Sequence, residues 1–250
     1  MTAGFLTAIL INLPFYHHIH DKDWFWTENL LMGLASASLA YMAVFFHELG
    51  HTLFAWFYGY VTLPMFDFSH GGGVAYALTG QSYFLMFACI GGIGYLIYLL
   101  HEFRGLQVML GLLAVLILAT GFSDPWHDSV IRFAGPAAEP LFAAFFLTRA
   151  FLDLAPRGDG ERFLNAVFGF GFLFQSLIEA FALLDGGVFR DVYYAQKGGH
   201  GVGDFDMIAR NFPALGFDGA VKLWIALCFL CLIVPFCLYL YDRMTAYYSD

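Results

Sequence analysis

Long apolar stretches separated by short polar breaks run the length of the chain. Six of them, at residues 29–58, 81–101, 106–122, 130–153, 163–184 and 220–241, are long enough to cross a bilayer as helices. The breaks carry helix-stopping residues: Asp21-Lys22-Asp23, Arg104-Gly105, Ser123-Asp124-Pro125 and Pro156-Arg157-Gly158-Asp159-Gly160. A helix satisfies its own backbone, as the bilayer core requires. The pattern therefore predicts an all-α polytopic membrane protein of about six transmembrane helices. Between the first two spans, residues 59–80 change character, with β-branched and aromatic residues flanking Gly71-Gly72-Gly73. That alternation predicts a small β-hairpin or strand pair. Residues 1–28 hold an apolar run of about a dozen residues, short for a span, and read as an interfacial or re-entrant segment. No Lys or Arg precedes that run and no small-x-small site follows it, so a signal peptide is not expected. Residues 188–219 read as a polar, glycine-rich loop, and residues 220–250 as a last transmembrane helix with its tail. Tyr16, Trp24 and Trp26 read as an interfacial aromatic belt, and Gly91-Gly92-Ile93-Gly94 as a site of close helix packing.

Composition fixes the solvent. Hydrophobic residues make up 60 % of the chain and charged residues 12 %, where a soluble domain carries about 25 % charged residues. So little charge cannot keep a globule of this size in water. A soluble enzyme, a disordered chain and a disulfide-stapled secreted module are excluded. Eleven Lys and Arg against twenty Asp and Glu give a net charge of −9, which argues against nucleic-acid binding. The basic residues outside the spans do not favour one side enough to orient the chain. Cys89, Cys228, Cys231 and Cys237 all lie within apolar runs and read as small buried hydrophobes.

The strongest chemical signal lies inside the first full span, in Phe46-His47-Glu48-Leu49-Gly50-His51-Thr52. Residues i and i+4 share a helix face, so His47 and His51 can aim their imidazoles at one ion. Glu48 beside them is placed to take a proton from water at that ion. Two imidazoles and a carboxylate in a membrane helix are costly unless they work. A zinc site needs a third protein ligand. Asp185 is the first candidate, at the end of the fifth span where Gly186-Gly187 permits close backbone approach. Asp204, Asp206 and His200 in the following loop are alternates, either acid of Gly203-Asp204-Phe205-Asp206 also suiting a helix cap. Glu139 and Glu179, with Gln175 and Arg132, are further polar groups within spans. The two acids are candidates to hold His47 or His51 in one tautomer; an interhelical ion pair involving Arg132 is the plainer alternative. His17-His18-Ile19-His20-Asp21 resembles a metal-binding tract by composition only. Two histidines one turn apart suit a haem poorly, because axial ligands approach from opposite faces.

The order of motifs resembles the site-2 protease family, intramembrane zinc metalloproteases of the M50 type. The shared features are His47-Glu48-Leu49-Gly50-His51, then a glycine-bearing strand loop, Ala134-Gly135-Pro136, and Leu184-Asp185-Gly186-Gly187. The resemblance implies a metalloprotease-like membrane core over residues 29–187. It also implies Zn2+ held by His47, His51 and Asp185, with Glu48 as the general base. An extended substrate would lie along the loop, touching Val61, Leu63, Phe66, Gly72 and Gly73, and would be a membrane-embedded or juxtamembrane protein segment. The chain departs from the family at Ala137-Ala138-Glu139, where members usually continue to an Asn, and no PDZ or CBS domain is expected within these 250 residues. An inactive relative serving as a subunit of a membrane complex is the alternative.

Overall fold

The computed structural model describes residues 1–21, 30–67, 72–196 and 203–249, and these are mostly helical. In chain order the elements are α1 (Thr2–Asp21), α2 (Leu30–Phe57), β1 (Thr62–Asp67), β2 (Gly72–Ala77), α3 (Tyr83–Leu99), α4 (Arg104–Thr120), α5 (Asp124–Phe151), α6 (Asp159–Asp185), α7 (Val188–Gln196), α8 (Asp204–Asn211) and α9 (Gly216–Ser249). The strand pair expected at residues 59–80 is present. β1 and β2 are antiparallel, with Thr62 opposite Ala77 and Asp67 opposite Gly72.

Four helices are long and apolar enough to cross a membrane: α2, α5, α6 and α9 from Gly216 to Thr245. Six spans are not confirmed. α3 and α4 have 17 residues each, about 26 Å of helix against a hydrocarbon core of about 30 Å. They form a short helical hairpin packed on the end of α2 through Tyr58, Met86, Ile93 and Ile117. Residues 188–219 are also not a plain loop. They hold α7 and α8, because Phe205 and Ile208 recur at helical spacing and bury against the bundle. The N-terminal segment is a continuous helix packed along α6, where Asn12 Nδ2 donates to the Ala8 and Gly171 carbonyls.

The bundle is apolar outward and polar inward. Phe84 is 82 % exposed and Leu31 77 %, whereas Glu48, His51, His127, Glu139 and Gln175 are all buried. That inversion is what lipid as solvent demands.

α5 is the central helix, packed against α2, α6, α8 and α9. It begins after Ser123, with Asp124 in its first turn and Pro125 where a missing N–H costs nothing. α2 and α5 cross closely at Gly50. A methyl there would overlap the Ala134 carbonyl and meet the Ala138 Cβ at 2.7 Å. This approach brings the histidines of α2 onto α5. The glycines at 91, 92 and 94, by contrast, face open space and pack against nothing among the described residues.

Candidate metal centre

His47 and His51 stack edge to face one turn apart on α2, ring centroids 4.8 Å apart. Both Nε2 atoms point at a single carboxylate oxygen, Asp204 Oδ2, at 3.1 Å and 3.2 Å. These three ligand atoms lie within 4.8 Å of one another. Donor atoms about 2.0–2.1 Å from a tetrahedral ion stand roughly 3.3 Å apart, so the spacing suits one small cation. Asp204 arrives on α8. Its neighbour Phe205 turns toward α9 and packs on Trp224, centroids 5.4 Å apart, which leaves the Asp204 side chain facing α2 and α5.

The far side of each imidazole is also fixed. His51 Nδ1 donates to the Ile131 carbonyl at 2.7 Å, and His47 Nδ1 donates to Glu139 Oε1 at 2.9 Å. The second oxygen of Glu139 accepts from Ser176 Oγ at 2.9 Å. With Nδ1 protonated on both rings, neutral histidines turn their Nε2 lone pairs inward. Two lone pairs and an anionic oxygen so close together repel unless a positive charge sits among them. Gly135 on α5 leaves the room. A methyl there would overlap His51 Nε2 and Cε1 and lie 2.8 Å from His47 Nε2. Gly135 thus lets the two imidazoles lie against α5, and the donor set fits a divalent ion.

The cluster opens into a cavity of about 940 Å³. Its walls include Glu48, Ala55, Tyr60, Gly73, Asp124, His127, Arg132, Glu139, Glu179 and Trp224. His47 sits about 15 Å below the end of α2, and Gly135 about 17 Å below the start of α5. The cavity thus runs from mid-bundle toward the end of the molecule where Tyr60 and Asp124 lie. Tyr60 hydrogen-bonds His127 there at 2.8 Å. Burial, and then the carboxylates of Asp124 and Asp128, push the Tyr60 phenol up, so it stays protonated. Glu48 is buried under β2. A methyl on Gly73 would overlap its Cγ and lie 2.8 Å from Cδ and Oε1.

Several expectations for the site change. His47, His51 and Glu48 come together as the motif predicts. Asp185 does not join them. It is exposed at the end of α6, whose left-handed Gly186 terminates the helix, and it lines a different groove with Phe5, Tyr16 and Phe181. The alternate Asp204 holds that position, while Asp206 on the same helix is not part of the cluster. His200 and the tryptophans at 24 and 26 lie outside the described residues, as do the side chains of His18 and His20. Glu139 does orient His47. Glu179 lines the cavity, but the Nδ1 atoms for which it was a candidate partner are taken by Glu139 and Ile131. Of the five loop residues expected to touch substrate, only Gly73 lines the cavity. Val61 and Leu63 are exposed, Phe66 stacks on Phe45 with centroids 5.5 Å apart, and Gly72 precedes the lining stretch of β2. The cavity-facing strand is β2, through Gly73, Val74, Ala75 and Ala77. The Ile131 carbonyl and Ser176 were not foreseen, and a backbone oxygen carries no mark in a sequence.

Compared with protein-family models, curated proteins and solved structures, the chain matches none of them.

Proposed function

We propose that the protein is a zinc-dependent intramembrane endopeptidase, with His47, His51 and Asp204 as ligands and Glu48 as general base. The observation that carries this reading is the convergence of two Nε2 atoms on Asp204 Oδ2 beside a buried glutamate, in a cavity inside a membrane bundle. A divalent ion held there would supply Lewis-acid activation of water and of a peptide carbonyl at neutral pH. Glu48 would take the proton released in the attack and return it to the leaving amine. Glu139 and the Ile131 carbonyl keep the imidazoles aimed throughout. The substrate is a membrane-embedded or juxtamembrane protein segment, unwound locally because helical peptide bonds are shielded. β2 has no strand partner on its edge away from β1 among the described residues, which suits pairing with an extended segment.

The test uses detergent-purified protein loaded with zinc, and single-span peptides reconstituted with it in liposomes. Wild type is expected to hold close to one zinc per chain and to cleave a peptide in the set. Glu48→Gln is expected to keep the zinc and lose cleavage by at least two orders of magnitude. Cleavage by Glu48→Gln at the wild-type rate would overturn the mechanism. Absence of zinc from the loaded wild type would overturn the metal assignment.

A further inference from the structure

The third ligand does not come from a transmembrane helix. α8 rises from Asp204, at the histidines, to Asn211, at the start of α5, so its eight residues form a short arm lying inside the bundle. Phe205 and Ile208 bury the apolar side of the arm, while its polar side, with Asp204, meets polar groups of α5. α5 supplies two attachments. At the ligand end, Arg132 Nη1 stands 3.8 Å from Asp204 Oδ1, the oxygen turned away from the histidines. The same guanidinium is steered by Asp128, whose Oδ1 lies 3.6 Å from Arg132 Nε one turn earlier on α5. At the far end, Asn211 Nδ2 donates to Asp128 Oδ2 and Ser129 Oγ, each at 3.0 Å, and to the Pro125 carbonyl at 3.3 Å. Asp128 therefore joins the two attachments, with one oxygen on each.

We propose that Arg132 is a positioning residue for the metal ligand Asp204, and that Arg132, Asp128 and Asn211 form a clamp fixing α8 against α5. The inference rests on the metal reading above and adds a role that the ligand set alone does not assign. A carboxylate has two oxygens, and a cation on one of them favours a single bond to the ion through the other. Arg132 is the only Lys or Arg among the described residues lining the cavity. Its planar fork spans Asp128 and Asp204 together, which a lysine ammonium does less well.

The experiment measures cobalt(II) affinity and the cobalt visible spectrum for wild type, Arg132→Met, Arg132→Lys and Asn211→Leu in detergent. Apo-protein melting is recorded alongside. Arg132→Met is expected to weaken cobalt binding ten- to hundred-fold, the usual cost of losing a group behind a ligand, with a changed spectrum and an unchanged apo melt. Arg132→Lys should recover part of the affinity, and Asn211→Leu should weaken binding by a smaller factor. Wild-type affinity and spectrum in Arg132→Met would overturn the clamp while leaving the metal site standing. If Arg132→Met fails to fold, Asn211→Leu decides, since its far attachment touches neither ligand nor ion; wild-type binding there would overturn the clamp. No cobalt binding by wild type would overturn the metal reading itself, and the clamp with it.

Discussion

Gly135 and Glu48 carry opposite duties at the centre, and single substitutions separate them. Gly135 contributes only the absence of a side chain. Replacing it with Ala puts a methyl where both Nε2 atoms converge, while the helix gains roughly 1 kcal/mol of intrinsic propensity. We expect Gly135→Ala to lose metal binding at least tenfold and to keep its fold. Metal content and a detergent melting curve check both halves, and full metal loading would show that the imidazoles can move aside. Gly73 leaves room in the same sense for Glu48 beneath β2. The HExxH spacing made His47, His51 and Glu48 legible, because helix geometry alone puts them on neighbouring faces. Gly135 was legible only as part of a motif, since what it makes room for lies on another helix.

At the scale of elements, the spans of α2, α5, α6 and α9 followed from apolar length, and the β1–β2 hairpin followed from its glycines and alternating residues. α3 and α4 are apolar, but at 17 residues each they are shorter than α2, α5, α6 and α9. α8 was lost because eight residues with three charges, Asp204, Asp206 and Arg210, look like a solvated loop until Phe205 and Ile208 are seen buried. In the sequence, Gly186-Gly187 and the motif order favour Asp185 as the third ligand, whereas the acid that meets both imidazoles among the described residues is Asp204. The placement of α8 carries its own prediction. A metal bridging Asp204 to α2 fastens the arm to the bundle, so chelation should speed amide hydrogen exchange in α8 by tenfold or more. Exchange in the middle of α5, packed on four helices, should stay unchanged. Equal exchange in α8 with and without metal would mean that the polar clamp and apolar packing hold the arm without the ion.

For the molecule as a whole, buried polar groups are concentrated where α2, α5, α6 and α8 meet, and large apolar side chains are exposed on the outside of the bundle. The arrangement would tie stability to an ion bound there. His47 and His51 come from one helix and Asp204 from another, so an ion that binds all three favours the folded bundle over any state in which α8 has separated from α2. Mass action sets the size: an ion at a hundred times its dissociation constant stabilises the protein by about 2.7 kcal/mol. Zinc should therefore raise the melting temperature of the detergent-solubilised wild type by several degrees, and a chelator should reverse the rise. Asp185→Ala should show the full gain, because that carboxylate stands at the exposed end of α6 away from the histidines. Asp204→Ala should show little or none, since two imidazoles alone leave the ion short of a ligand. The reverse pattern, a gain lost in Asp185→Ala and kept in Asp204→Ala, would mean that the chain closes its metal site with the acid at the end of α6, and α8 would then be a bystander.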